Sequence, residues 1–199
     1  MAYGVFVSGE YAYLANGLSG LRVVNVSDPS ELTEVGSLKM PGPAKGVFIS
    51  GKLAFVANGL SGLPIVDISE PASPREMGAM ATRGRAYGVF VSGDHAFVAD
   101  GLSGLTVVDV SNPNSPQTVT SIATLDYAYG VFVSGNHAFV ADWNSGLHVV
   151  VFSTLGQPRE VGYLDTLGKA TGVFVYRGYA FVADWDGGLV VARVDLPGV

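Results

Sequence analysis

Residues 88–104 read GVFVSGDHAFVADGLSG. Two apolar runs, Gly88–Ser92 and His95–Ala99, flank the pair Gly93-Asp94. Short runs of β-branched and aromatic residues read as strands, and a two-residue break containing glycine joins such strands in a tight hairpin. Asp100-Gly101 ends the second run, and a third follows GLSG from Leu105 to Val110. The stretch SNPNSP then breaks the chain at Pro113 and Pro116, ahead of a more polar fourth run from Gln117 to Ala123. One short segment thus writes a sheet of four antiparallel strands. Its inner strands are apolar on both faces of the pleat, so both faces need cover.

The segment returns four more times. Its leading glycine falls at Gly4, Gly46, Gly88, Gly130 and Gly172, always 42 residues apart, with no insertion or deletion between them. The hairpin pair recurs as Gly9-Glu10, Gly51-Lys52 and Gly135-Asn136. The units are 1–42, 43–84, 85–126, 127–168 and 169–199, the last without a fourth strand. Four-stranded antiparallel sheets of this length bury both faces when they stack around an axis, which is a β-propeller. The expected fold is all-β: a single five-bladed β-propeller domain over residues 1–199, the last blade three-stranded and without strand closure. A β-solenoid is the alternative, although its coils are shorter and its strands parallel. Packing of blade one against blade five would close the ring. The bare third strand of blade five is then an edge, guarded by Arg193, Asp195 and Pro197. This reading gives a monomer; the alternatives are an excerpt of a longer array of blades, or a protomer whose edge pairs with another chain in a dimer.

The segments GLTVVDVSNPNSP (Gly104–Pro116) and GLPIVDISEPASP (Gly62–Pro74) resemble the LVIVD repeat, a propeller repeat of bacterial and archaeal proteins. GVFVSGDHAFVADG fits the same repeat and is also similar to the related YVTN propellers. The resemblance spans essentially the whole chain. It implies a scaffold or recognition surface without catalysis or cofactor, and a cell-surface or secreted location. Unit four departs from the pattern at Val151–Gly156, and unit five places Arg193 where the pattern has aspartate.

Hydrophobic residues make up 48% of the 199 residues and charged residues 14%, enough to build a core and exclude disorder. The formal charge is −6, and the 11 lysines and arginines are dispersed, which argues against nucleic acid as a partner. With no cysteine, neither disulfides nor thiol chemistry operate, while the compartment stays open. The opening MAYGVFVSGEY lacks the basic and apolar regions of a secretory leader, and no run reaches the length of a membrane span. A soluble chain is expected.

Antiparallel order puts the start of strand one and the end of strand two on the same face of the disc. Tyr3, Lys45, Arg85, Tyr87, Tyr127, Tyr129 and Lys169 precede first strands; Asn16, Asn58, Asp100, Asp142 and Asp184 follow second strands. The Asn/Asp set either converges on a ligand or closes its own glycine-containing turns. Trp143 and Trp185 break the repeat and suit stacking against sugars, cations or peptide side chains. Candidate ligand-binding residues are therefore Tyr3, Lys45, Arg85, Tyr87, Tyr127, Tyr129, Trp143, Trp185, Asp100, Asp142 and Asp184, with a protein, peptide or carbohydrate as ligand. No metal site is expected, since DWDGG (Asp184–Gly188) lacks the remaining ligands of a calcium loop. His95, His137 and His148 are read as surface residues. The serines recur as turn residues and no His–acid arrangement accompanies them in any one unit, so no catalytic residues are assigned. A glycoside hydrolase built on Asp100, Asp142 and Asp184 is the remaining enzymatic reading, and a purely structural or engineered array the other alternative.

Overall fold

The computed structural model describes residues 1–152 and 156–196. Pro197, expected to guard the last edge, and Ser153 to Leu155 of the unit-four departure lie outside the described residues. Four sheets have four strands in sequential order and the fifth has three. In blade three the strands are Gly88–Ser92, His95–Ala99, Leu105–Asp109 and Gln117–Ile122. The third and fourth are each one residue shorter than the sequence suggests. Every pairing within the sheet is antiparallel, which excludes the solenoid.

Register is set by the hairpin: Ser92 faces His95 and Gly88 faces Ala99 across Gly93, whose φ of 56° suits glycine. The fourth strand always joins through a bulge, at Val23/Val24, Ile65/Val66, Val107/Val108 and Val149/Val150. A bulge adds local twist, which lets the outermost strand splay from the next blade.

The core is divided among the four junctions. Each blade turns one face toward its predecessor and the other toward its successor. At the junction of blades two and three, Phe55, Leu63 and Ile65 pack against Val89, Val91 and Val98. Burial of a side chain of this size contributes about 1.5–3 kcal/mol, so the junctions are the main source of cohesion. Nearer the axis, Phe6, Phe48, Phe90, Phe132 and Phe174 form a ladder with ring centroids 4.9, 4.7, 4.9 and 5.0 Å apart. No helix of the described residues is long and apolar enough to cross a membrane.

The expected packing of blade one on blade five is not formed, and the propeller is open. Val5 and Val7 are 63% and 60% exposed, whereas their counterparts Val47 and Ile49 are 8% and 6% exposed. Phe174, Leu189 and Val191 are exposed at the other end. The physical reason lies in the junctions: strand spacing at the axis and side-chain bulk outside set each wedge angle. Four such wedges fall short of bringing blade five round to blade one.

The histidines also differ from expectation. His148 is fully buried and His137 nearly so. His148 lies on a third strand facing the neighbouring blade. Its Nδ1 is 3.1 Å from Glu160 Oε2 and its Nε2 3.5 Å from Asp142 Oδ2. Two carboxylates from neighbouring segments make room for an imidazole that the repeat elsewhere replaces with Arg22, Pro64 or Thr106.

Candidate functional site

The residue before each first strand does face the axis at one end of the propeller. Tyr3, Lys45, Tyr87, Tyr129 and Thr171, one from each blade, line a basin of about 490 Å³ together with Trp185. Antiparallel order is what brings Trp185, which follows a second strand, to the same rim. Thr171 was not singled out in the sequence. Its position in the series after Tyr129 is the signal that finds it.

The basin wall is aromatic and continuous. Tyr87 and Tyr129 lie 4.3 Å apart by ring centroid, and Tyr129 stacks on Trp143 at 4.7 Å with an interplanar angle of 25°. Trp143 meets Trp185 edge-on at 5.5 Å and 88°. Cations sit against this wall: Lys45 Nζ lies 3.6 Å from the Tyr3 ring centre, and Lys169 Nζ 5.0 Å from that of Trp143. Burial pushes the Tyr129 phenol above its ordinary pKa, with Tyr87 adding to the effect, so it remains neutral at physiological pH. Arg85 and Tyr127 lie outside the basin. They border smaller hollows of about 240–250 Å³ beside Leu60.

Trp143 and Trp185 occupy the repeat position of Gly17, Gly59 and Gly101. The glycines have φ of 55°, 58° and 57°, and the tryptophans keep the left-handed backbone at 51° and 39°. Such a conformation costs a bulky residue about 1–3 kcal/mol. Trp185 is 64% exposed, so little burial offsets that cost. Replacing Trp185 with glycine is therefore expected to leave unfolding free energy unchanged or raise it by about 1 kcal/mol, after subtracting glycine's extra unfolded-state freedom. A urea titration checks this. A loss above about 1 kcal/mol would make Trp185 a structural residue.

The aspartates lie beneath the basin rather than in it. Asp100, Asp142 and Asp184 are fully buried. Each holds the segment that enters its blade from the preceding one. Thr82 Oγ1 donates to Asp100 at 2.6 Å, Thr124 to Asp142 at 2.6 Å and Thr166 to Asp184 at 2.5 Å. The N–H groups of Gly84, Asp126 and Gly168 donate to the second oxygen at 3.0, 2.8 and 2.8 Å. The turn after each aspartate is closed by backbone alone, as where Ser103 N–H donates to the Asp100 carbonyl. Neither sequence reading anticipated this: the carboxylates bind no turn of their own and reach no solvent. Burial pushes the Asp100 carboxyl above its ordinary pKa, partly offset by donation from Thr82, Gly84 and Thr106. The signal was present in the chain, since threonine precedes aspartate by 18 residues in three successive units.

A family model for the LVIVD repeat matches residues 1–39, 41–82, 83–124, 126–166 and 167–195. The chain belongs to the LVIVD repeat family. The breaks between matched repeats fall in the segments that enter the basin rim, so each LVIVD repeat corresponds to one blade. No curated protein matches the chain. Among solved structures, the computationally designed Ika8 protein superposes with a TM-score of 0.74 at 11% identity, covering 97% of this chain and 58% of that one. The chain thus spans little more than half the length of Ika8. The computationally designed Ika4 protein superposes with a TM-score of 0.67 at 11% identity, over 81% of this chain and 98% of that one. At such identity the likeness concerns the fold alone.

Proposed function

We propose that the LVIVD propeller is a non-catalytic recognition module, its ligand received in the basin of Tyr3, Lys45, Tyr87, Tyr129, Thr171 and Trp185. The observation that carries this reading is Trp185, which lines the basin in a glycine backbone conformation, with Trp143 in the same conformation behind it, stacked on Tyr129 and edge-on to Trp185. A fold does not need that strain, and strained residues gather at ligand sites. The wall offers flat apolar rings with Lys45 and Lys169 among them. That chemistry suits a ligand with a flat ring or apolar face beside a negative group, such as an acidic saccharide or an acidic peptide. The chain's overall charge of −6 makes this local excess of cations selective rather than general.

The hydrolase reading lacks support, because the three carboxylates it requires are buried and engaged by threonine hydroxyls and backbone. A purely structural array leaves the tryptophans without a purpose. The two readings separate in a thermal-shift screen of acidic oligosaccharides and acidic peptides. A ligand at a hundredfold its Kd adds about 2.7 kcal/mol, a shift of about 5–10 °C for a domain of this size. The Trp143→Gly/Trp185→Gly variant keeps the repeat's own residue at both positions and is expected to abolish the shift. A shift that persists in that variant places the ligand elsewhere, and a screen without any shift favours the structural array.

A further inference from the structure

We infer that the two open ends of the propeller are complementary and that a second copy of this chain docks head to tail, its blade one against blade five. It rests on other observations than the ligand reading, with Trp185 the one residue common to both. The face that blade four turns to blade five carries Gly130, Phe132, Phe139, Ala141, Leu147 and Val149. The outer face of blade five repeats the series without a change: Gly172, Phe174, Phe181, Ala183, Leu189 and Val191. Blade five has diverged elsewhere, at Tyr176, Arg177, Asp186 and Arg193, yet its open face is kept.

The small residues are the telling ones. A Cβ on Gly46, Gly88 or Gly130 would come within 2.7–2.9 Å of a carbonyl oxygen of the next blade. Only glycine fits there. At Gly172 the nearest atom to such a Cβ is the Ala183 Cβ at 3.8 Å, so within one chain a side chain would be tolerated. Ala183 is exposed, whereas Ala57, Ala99 and Ala141 are fully buried by a following blade.

The opposite end supplies the matching surface. Val5, Val7, Ala12, Leu14, Val24 and Val26 of blade one correspond to Val47, Ile49, Ala54, Val56, Val66 and Ile68, which fill the first junction. The backbone agrees. Each junction is pinned by a two-hydrogen-bond bridge, Gly17–Ala44, Gly59–Ala86, Gly101–Ala128 and Trp143–Ala170. The next pair in the series is Trp185 with Ala2, and among the described residues it forms no bridge. In the docked pair Trp185 would bridge the second copy's Ala2, and Phe174 would continue the phenylalanine ladder onto its Phe6.

Light scattering coupled to size exclusion tests this with two variants altered only at exposed positions. Val5→Glu/Val7→Glu charges the leading face; Leu189→Glu/Val191→Glu charges the trailing face. The wild-type chain is expected to gain mass with concentration, and each variant alone to keep the mass of one chain. Mixed in equal amounts, the variants are expected to form a species of two chains and no more, because one intact face of each kind remains. Circular dichroism and urea unfolding confirm that both variants fold. A wild-type chain that stays at one chain mass throughout, or variants that do not pair when mixed, overturns the inference. Association of a single variant with itself does so too, since it would show a face meeting its own kind.

Discussion

Asp142→Ala is expected to lower the unfolding free energy by about 3–4 kcal/mol, the largest loss of any single change considered. Asp142 Oδ1 accepts from the Thr124 hydroxyl at 2.6 Å and Oδ2 from the Asp126 N–H at 2.8 Å. His148 Nε2 stands 3.5 Å from the same carboxylate. Truncation takes the acceptor from the part-buried Thr124 hydroxyl and Asp126 N–H, and a buried polar group left unpaired costs about 1–3 kcal/mol. It also frees the segment that joins blade three to blade four, so the damage reaches a junction rather than one side chain. In a chain of this size the loss corresponds to a fall in Tm of about 6–16 °C. Asp142→Asn is the informative companion. It keeps an oxygen for Thr124 but meets the Asp126 N–H with an amide donor, and should fall between wild type and alanine. Urea midpoints with an unchanged slope measure both. An alanine variant within about 1 kcal/mol of wild type would show that the clasp carries no stability.

Much of the fold was legible because the chain repeats without insertions. Gly93 and its equivalents mark hairpins by backbone requirement, and prolines end third strands, so strand limits came within a residue. The convergence of Tyr3, Lys45, Tyr87 and Tyr129 on one basin was legible as well, since it follows from antiparallel order alone. Other features depend on contacts between units. Whether five blades close is a sum over four wedge angles, and no residue of one unit encodes it. The buried state of His148 arises from Asp142 and Glu160, supplied by other segments. The strain at Trp143 and Trp185 lay between these cases. Their departure from the repeat was plain, but that they stand at a left-handed glycine position needed the φ angles 51° and 39°. The clasp of threonine on aspartate crosses a blade junction and was missed, although its 18-residue spacing recurs.

That spacing leads to the second large effect. At the entry to blade two the threonine position holds Met40, and the aspartate position holds Asn58. Asn58 is fully buried, and neither its amide oxygen nor its nitrogen has a hydrogen-bond partner among the described residues. The double change Met40→Thr/Asn58→Asp writes into blade two the clasp found in the next three. The hydroxyl introduced at position 40 and the Gly42 N–H, which stands where those of Gly84 and Gly168 donate, would both serve the new carboxylate. Hydrogen bonds to a charged group contribute about 1.5–3 kcal/mol each, against the cost of burying the charge and losing the partly buried methionine. A net gain of about 2 kcal/mol is expected. Asn58→Asp alone should go the other way, by about 1–2 kcal/mol, because a buried carboxylate with only the Gly42 N–H is undercompensated. The sign therefore reverses when Met40→Thr is added. Before any loss from Met40→Thr alone is added, the double-mutant cycle gives a coupling of about 3–4 kcal/mol, at or just above the range for residues in contact. Additive single effects would mean that the threonine and aspartate do not act as a unit, and that their joint recurrence in blades three to five is inherited sequence rather than a stabilising pair.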